Sequence, residues 1–79
     1  MSRLECLGER EGLRARRKAV LAEITSHRDS LLSALSVIHE PEALAGEYIA
    51  ALGVRLSELL LELSGVDRKI AVLSREIGD

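Results

Sequence analysis

The chain has 79 residues, a formal net charge of −2, 47% hydrophobic residues and 30% charged residues. A chain this short buries little surface, so helical proteins of this size usually depend on oligomerisation, a metal or disulfides. Cys6 is the only cysteine, which excludes a disulfide within the chain and is typical of a reducing compartment. With no run of about 18 apolar residues and no signal-like N-terminus, we expect a cytoplasmic protein without a membrane span.

The composition favours long helices around an aliphatic core. Phe and Trp are absent, Tyr48 is the one aromatic residue, and Pro41 is the one proline. Leu, Ala, Glu and Arg are abundant instead, which is the profile of long or coiled-coil helices. The sequence therefore predicts an all-α protein.

A first helix is predicted from about residue 3, because Ser2 and Glu5 have the spacing of a capping box. Gly8 and Gly12 should soften this helix before Leu13, since each costs about 1 kcal/mol relative to alanine in a helix interior. Beyond that point the apolar residues recur at helical spacing, although polar residues occupy two of the expected positions. The apolar set is Leu13, Val20, Ile24, Leu31, Leu35 and Ile38, widened by Leu21, Leu32 and Val37.

Pro41 marks the break, because proline is excluded from a helix interior but accepted at a first helical position. We predict a first helix over about 3–39, a turn at about 39–41 and a second helix over about 41–77, as one domain spanning 1–79. So short a connection gives an antiparallel hairpin. Partners across it should have numbers that add to about 82, so that Ile38 meets Leu44.

The second helix carries an unbroken heptad repeat. Steps of four and three residues keep one apolar stripe facing a partner helix over many turns, as in a coiled coil. We call this stripe the heptad seam; it consists of Ala45, Ile49, Leu52, Leu56, Leu59, Leu63, Val66, Ile70, Leu73 and Ile77.

The open end of the hairpin, where both chain termini lie, pairs this seam with a charged stretch of the first helix that contains only one good apolar partner. An uncovered apolar stripe usually marks an interface. In addition, Leu60 and Leu61 extend the apolar arc of the second helix, which indicates more than one neighbouring helix. We therefore expect a homodimer forming a four-helix bundle, or binding to another helical protein. The predicted interface is Leu13, Leu59, Leu63, Val66, Ile70, Leu73 and Ile77.

The basic cluster Arg14, Arg16, Arg17 and Lys18 permits two interpretations. Such a run can neutralise phosphates of RNA or DNA. However, acidic residues are interleaved nearby, the net charge is negative and no aromatic residues are available for stacking on bases. The cluster is then a solvated helix face that pairs with Glu62 and Asp67, which we consider the better interpretation.

No motif points to catalysis, a cofactor or a metal. His27 and His39 are too far apart, and too poor in neighbouring ligands, for a zinc site. His27 instead occupies a seam position, where a polar residue can set register, and His39 should decorate the end of the first helix. Cys6 has no histidine partner that would activate it. The sequence predicts a non-enzymatic protein–protein interaction module, such as an adaptor, an assembly factor or a chaperone-like protein, with nucleic-acid binding as the alternative.

Overall fold

The computed structural model describes residues 2–78 as two long helices packed against each other. Helix α1 comprises Arg3–Ala34 and helix α2 comprises Gly46–Ile77, each with 32 residues. The molecule measures 58 × 15 × 14 Å, and the described residues contain no strand. The prediction of an all-helical hairpin is therefore confirmed.

Both outer helix ends are capped by local hydrogen bonds. The Ser2 side chain accepts a hydrogen bond of 3.1 Å from the backbone N–H of Glu5, as the capping-box spacing predicts. Helix α2 ends at Gly78, whose φ of 92° is the left-handed conformation that glycine adopts without steric cost. The backbone N–H of Gly78 donates to the carbonyl groups of Ser74 and Arg75.

The connection between the helices differs from the sequence prediction. Helix α1 ends at Ala34 instead of near residue 39, and α2 begins at Gly46 instead of near residue 41. Residues 35–45, here called the tip, include a short 3-10 helix at Pro41–Ala43. A turn of two or three residues was predicted; the tip has eleven residues.

Local chemistry explains the early end of α1. The Ser36 hydroxyl accepts from the backbone N–H of Ile38 at 3.4 Å, and the Ser36 carbonyl accepts from His39, so this serine replaces helical hydrogen bonds with turn bonds. Pro41 also pushes the preceding residue out of the helical region, and Glu40 is extended with ψ of 142°. Pro41 starts only the 3-10 helix, because Leu44 returns to an extended conformation with ψ of 134°.

The longer tip leaves its apolar side chains in solvent. Val37 is 99% exposed and Ile38 is 83% exposed. The predicted contact of Ile38 with Leu44 assumed that Ile38 lies within a helix and is covered by the second helix. That assumption is wrong, since Ile38 lies in the tip and is exposed. The turn end of the hairpin is the poorly covered end.

The register follows the prediction closely. Among the described residues, five side-chain hydrogen bonds or ion pairs bridge the two helices, and in each pair the residue numbers add to between 78 and 84, around the predicted 82. Along α2 the buried positions recur every seven residues until the last turn, as a heptad seam requires. They are Leu52, Leu59, Val66, Leu73 and Ile77.

The open end has a buried core, contrary to the expectation from sequence, although Leu4 is 79% exposed. Cys6, Leu73 and Ile77 form a buried cluster, and Leu7 and Leu13 pack against it. Arg10 is also buried, and its Nη1 donates to the Ser74 hydroxyl at 3.3 Å. A long arginine side chain can cover apolar surface with its aliphatic stem. Arg10 therefore fills a position in the packing although it is a charged residue.

Cys6 combines a packing role with an unfavourable environment for a thiolate. Its Sγ lies 3.6 Å from Oε2 of Glu76 and donates to that carboxylate. Burial, together with the neighbouring negative charge of Glu76, raises the pKa of the Cys6 thiol above its ordinary value. The structure thus holds Cys6 as a neutral, unreactive core residue at pH 7.

Replacing Leu59 with alanine should destabilise the hairpin strongly, because Leu59 is 0% exposed. Loss of a fully buried leucine typically costs about 2–5 kcal/mol. Leu61 is 73% exposed two positions away, so Leu61→Ala is a matched control that should change the free energy of unfolding by about 0.5 kcal/mol or less. Urea unfolding followed by circular dichroism at one protein concentration measures both. Equal effects would contradict the assignment of the seam.

The Cys6 thiol should make stability fall at alkaline pH. Below the ordinary thiol pKa of 9.0, the folded and unfolded chains both carry the neutral thiol. The contribution of Cys6 to the free energy of unfolding is then fully present. As the pH rises above 9.0 the unfolded chain releases the proton first, and the contribution is lost toward the raised pKa of the folded state. Urea unfolding at about pH 8 and about pH 10 should show a larger loss for the native chain than for Cys6→Ala. An identical loss in both proteins would refute this assignment.

Candidate interaction surface

The predicted interface residues lie between the two helices or beside that contact. Leu59, Val66, Leu73 and Ile77 are buried within the hairpin, while Leu13, Leu63 and Ile70 are half-buried. The expectation that they form an uncovered stripe is wrong, because α1 already covers them. Substitutions at these positions therefore test the stability of the hairpin more than its association with a partner.

One edge of the hairpin is charged. Arg16 pairs with Glu62, and Arg55 Nη2 pairs with Glu23 Oε2 at 3.0 Å. Each helix contributes two of these residues seven positions apart, so both ion pairs lie on the same edge. We call this side the charged edge. Its side chains prefer water or each other, which makes it a poor surface for apolar contact.

The basic cluster is largely paired within the hairpin. Arg14 Nη1 lies 3.0 Å from Glu11 Oε1, Arg17 Nε lies 2.6 Å from Asp67 Oδ1, and Arg16 pairs with Glu62. Lys18 is exposed. The pairing with Glu62 and Asp67 agrees with the sequence-based interpretation, and it reduces the charge that these arginines can offer to phosphates.

The opposite edge becomes apolar toward the tip. It begins with the ion pair of Arg17 with Asp67, which bridges the helices on this side. Helical spacing then continues this edge toward the tip along both helices, and Leu32 and Leu60 on it are 62% and 50% exposed. We call this surface the apolar edge; it consists of Leu21, Leu32 and Leu35 from α1 and its end, and Ile49, Leu56 and Leu60 from α2.

Arg28 is the one charged side chain of the apolar edge between Leu21 and Leu35. Its Nη2 lies 3.2 Å from Oδ1 of Asp29, so this charge has a partner on the outer face of α1. The tip separately exposes Val37, Ile38 and Leu44. The exposed leucines of the apolar edge are an apolar surface of the kind that marks interaction sites.

His27 lies at a seam position as predicted, whereas His39 lies in the tip, beyond the end of α1 at Ala34. His27 is half-buried, and its Nδ1 lies 2.8 Å from the Glu23 carbonyl oxygen, so this polar seam residue has a backbone partner. His39 Nε2 lies 3.2 Å from the Ser33 carbonyl oxygen in the last turn of α1. Within residues 2–78 no three His, Cys, Asp or Glu side chains are grouped as metal ligands.

An open groove of about 470 Å³ lies beside the tip. His39 and Tyr48 line it together with small side chains and Asp29. A pocket suited to catalysis encloses its substrate and orients several polar groups toward it. This groove is open to solvent, so we assign it no chemistry.

The sequence indicates which residues are apolar, but the end of the hairpin at which they are exposed differs from the prediction. The extra leucines that widen the apolar arc, Leu21, Leu32 and Leu60, were visible in the sequence as departures from the heptad repeat. What the sequence did not reveal is that α1 ends at Ala34, which leaves the turn end as the uncovered end.

Among the described residues, neither helix is long and apolar enough to cross a membrane. Comparisons with protein-family models, with curated proteins and with solved structures find no match to this chain.

Proposed function

We propose that this chain is a non-enzymatic protein–protein interaction module, acting as a small adaptor, assembly factor or chaperone-like protein. It self-associates through the apolar edge and the tip, and two hairpins form a four-helix bundle. The apolar edge takes the place of the predicted interface, whose residues serve the hairpin itself.

The observation that carries this proposal is the difference between the two edges of the hairpin. One edge is closed by ion pairs of Arg16 with Glu62 and of Arg55 with Glu23. The other exposes leucines from both helices, including Leu32 and Leu60. Exposed apolar area is worth about 25 cal/mol per Å² when it is removed from water, so a second helical surface packed there gains free energy that the charged edge does not offer.

Catalysis and nucleic-acid binding have weaker support. The concave features are open grooves, and a two-helix hairpin has no third layer that would exclude water from a reacting group. For nucleic acid, the basic cluster is neutralised in part by Glu11, Glu62 and Asp67. Helix-against-helix recognition requires only the apolar surface itself.

Replacing Leu32 and Leu60 together with aspartate should abolish self-association. Each leucine contributes about 1.5–3 kcal/mol when fully buried, so the loss of both should weaken association at least about 100-fold. Light scattering on a sizing column at several concentrations should give about 17 kDa for the native chain, twice the 8.6 kDa of one copy, and 8.6 kDa for the variant.

The matched control is Leu61→Asp. Leu61 follows Leu60 directly but lies on the outer face of α2, away from α1 and from the apolar edge, and it is more exposed. This variant should keep the native mass. A native chain that stays monomeric at every concentration would contradict self-association, and loss of the dimer in Leu61→Asp alone would move the interface to the outer face.

A further inference from the structure

We infer that the second copy docks antiparallel on the turn-side half of the hairpin, so that the acidic tip of each copy lies beside the basic cluster of the other. This inference rests on the proposed self-association and specifies its geometry. It follows from where the structure places exposed apolar surface and where the sequence places charge.

The turn-side half is the half that lacks cover. The open end already has its own core of Cys6, Leu73 and Ile77. The exposed leucines Leu32, Leu35 and Leu60 lie between the middle of the hairpin and the tip. A partner therefore gains most by covering only this half, and the open ends of the two copies extend in opposite directions.

Charge is divided between the two ends. Residues 29–54 contain four acidic residues, Asp29, Glu40, Glu42 and Glu47, and no lysine or arginine. Residues 9–18 and 62–69, which face each other nearer the open end, contain seven basic and four acidic residues, a net charge of +3. Each copy thus has an acidic turn end and a basic middle, separated along the long axis.

This division decides between the possible orientations. If the two copies lay side by side in the same direction, the leucines of one apolar edge would contact those of the other. The two acidic tips would then lie next to each other and repel. An antiparallel pair also matches the apolar edges, and it brings Glu40 and Glu42 of each tip toward the cluster Arg14–Lys18 of the other copy. Complementary charge fixes orientation even where it adds little affinity.

The lengths fit this arrangement. From Leu21 to Leu35 the helical rise is about 21 Å, and from Leu21 to the far end of the tip the hairpin extends roughly 25–30 Å. When two such surfaces overlap fully, each tip reaches the level of the other copy's Leu21. The basic cluster begins at Lys18, three residues further along α1, so it lies directly beside the tip.

The area is sufficient for a specific dimer. An overlap of about 30 Å along a face about 20 Å wide, the width of two helices, covers about 600 Å² on each copy. The total of about 1,200 Å² is at the lower end of the range for stable protein–protein interfaces. The surface therefore fits a second copy of this chain without any further partner.

Distance measurement between spin labels at the tip tests the orientation. In a Cys6→Ala background, a label on Glu40→Cys should give a distance of about 30 Å between the two copies of the dimer. A same-direction dimer would give less than about 20 Å, and an antiparallel dimer overlapping over its whole length would give about 55 Å. Circular dichroism and mass measurement establish beforehand that the labelled protein is helical and dimeric.

The outcomes separate this inference from the proposed function. A dimer with a short or a very long tip-to-tip distance overturns the antiparallel turn-side arrangement and leaves self-association intact. A monomer in the native chain overturns both, and the apolar edge is then free for a different helical protein. A distance near 30 Å in a dimer supports both.

Charge exchange in the chain that keeps Cys6 provides a second test. Glu40→Lys with Glu42→Lys should raise the dimer Kd roughly threefold to thirtyfold, since two exposed pairs become repulsive. Adding Arg14→Glu and Lys18→Glu to the same chain should restore the native Kd, because each lysine tip then meets an acidic cluster. A same-direction dimer would show little effect of the first change, because tip would still meet tip with like charge.

Discussion

The whole hairpin depends on a geometric limit: two packed helices can bury only one narrow stripe each. In α2 that stripe is a strict heptad repeat, and its residues at steps of seven, Leu52, Leu59, Val66 and Leu73, are the ones that α1 covers. Apolar residues that lie outside the stripe stay in contact with water unless another molecule covers them. Leu32, Leu60 and Leu61 are exposed for this reason.

The same limit explains why the edges of the hairpin decide what it can bind. Beside the buried stripe, each edge is formed by residues of both helices. Two ion pairs close one edge, whereas on the other edge the ion pair of Arg17 with Asp67 lies toward the open end and leucines follow toward the tip. Arg55 and Glu23 bridge the helices at 3.0 Å on the closed side. Exposed ion pairs of this kind add little stability, but they make that edge less suitable for apolar packing than the opposite one.

The sequence predicted the helices and their register because periodicity is a local, repeated signal. Ten apolar positions define the seam of α2, and an error at any one of them changes little. The cap at Ser2 and the pairing of Arg16 and Arg17 with Glu62 and Asp67 also followed from spacing. The prediction of the connection was wrong because it assumed that Pro41 alone marks both the end of one helix and the start of the next. The sequence alone did not show that the Ser36 hydroxyl and carbonyl would take over the last helical hydrogen bonds.

The wrong expectation of an uncovered stripe at the open end has a related cause. A division into polar and apolar residues treats Arg10 as a gap in the packing. Arg10 is nevertheless buried, and its guanidinium reaches the Ser74 hydroxyl, as expected of a side chain whose long stem can pack on apolar surface. A binary pattern therefore underestimates the cover at the open end. At the turn end the same pattern overestimates it, because it counts Ile38 as a helical partner of α2 although the chain has already left the helix. Both errors shift the expected uncovered surface in the same direction along the long axis, and the exposed apolar side chains lie instead toward the acidic tip. That proximity gives charge a role in orienting a partner, which a purely apolar seam along the open end would not have provided.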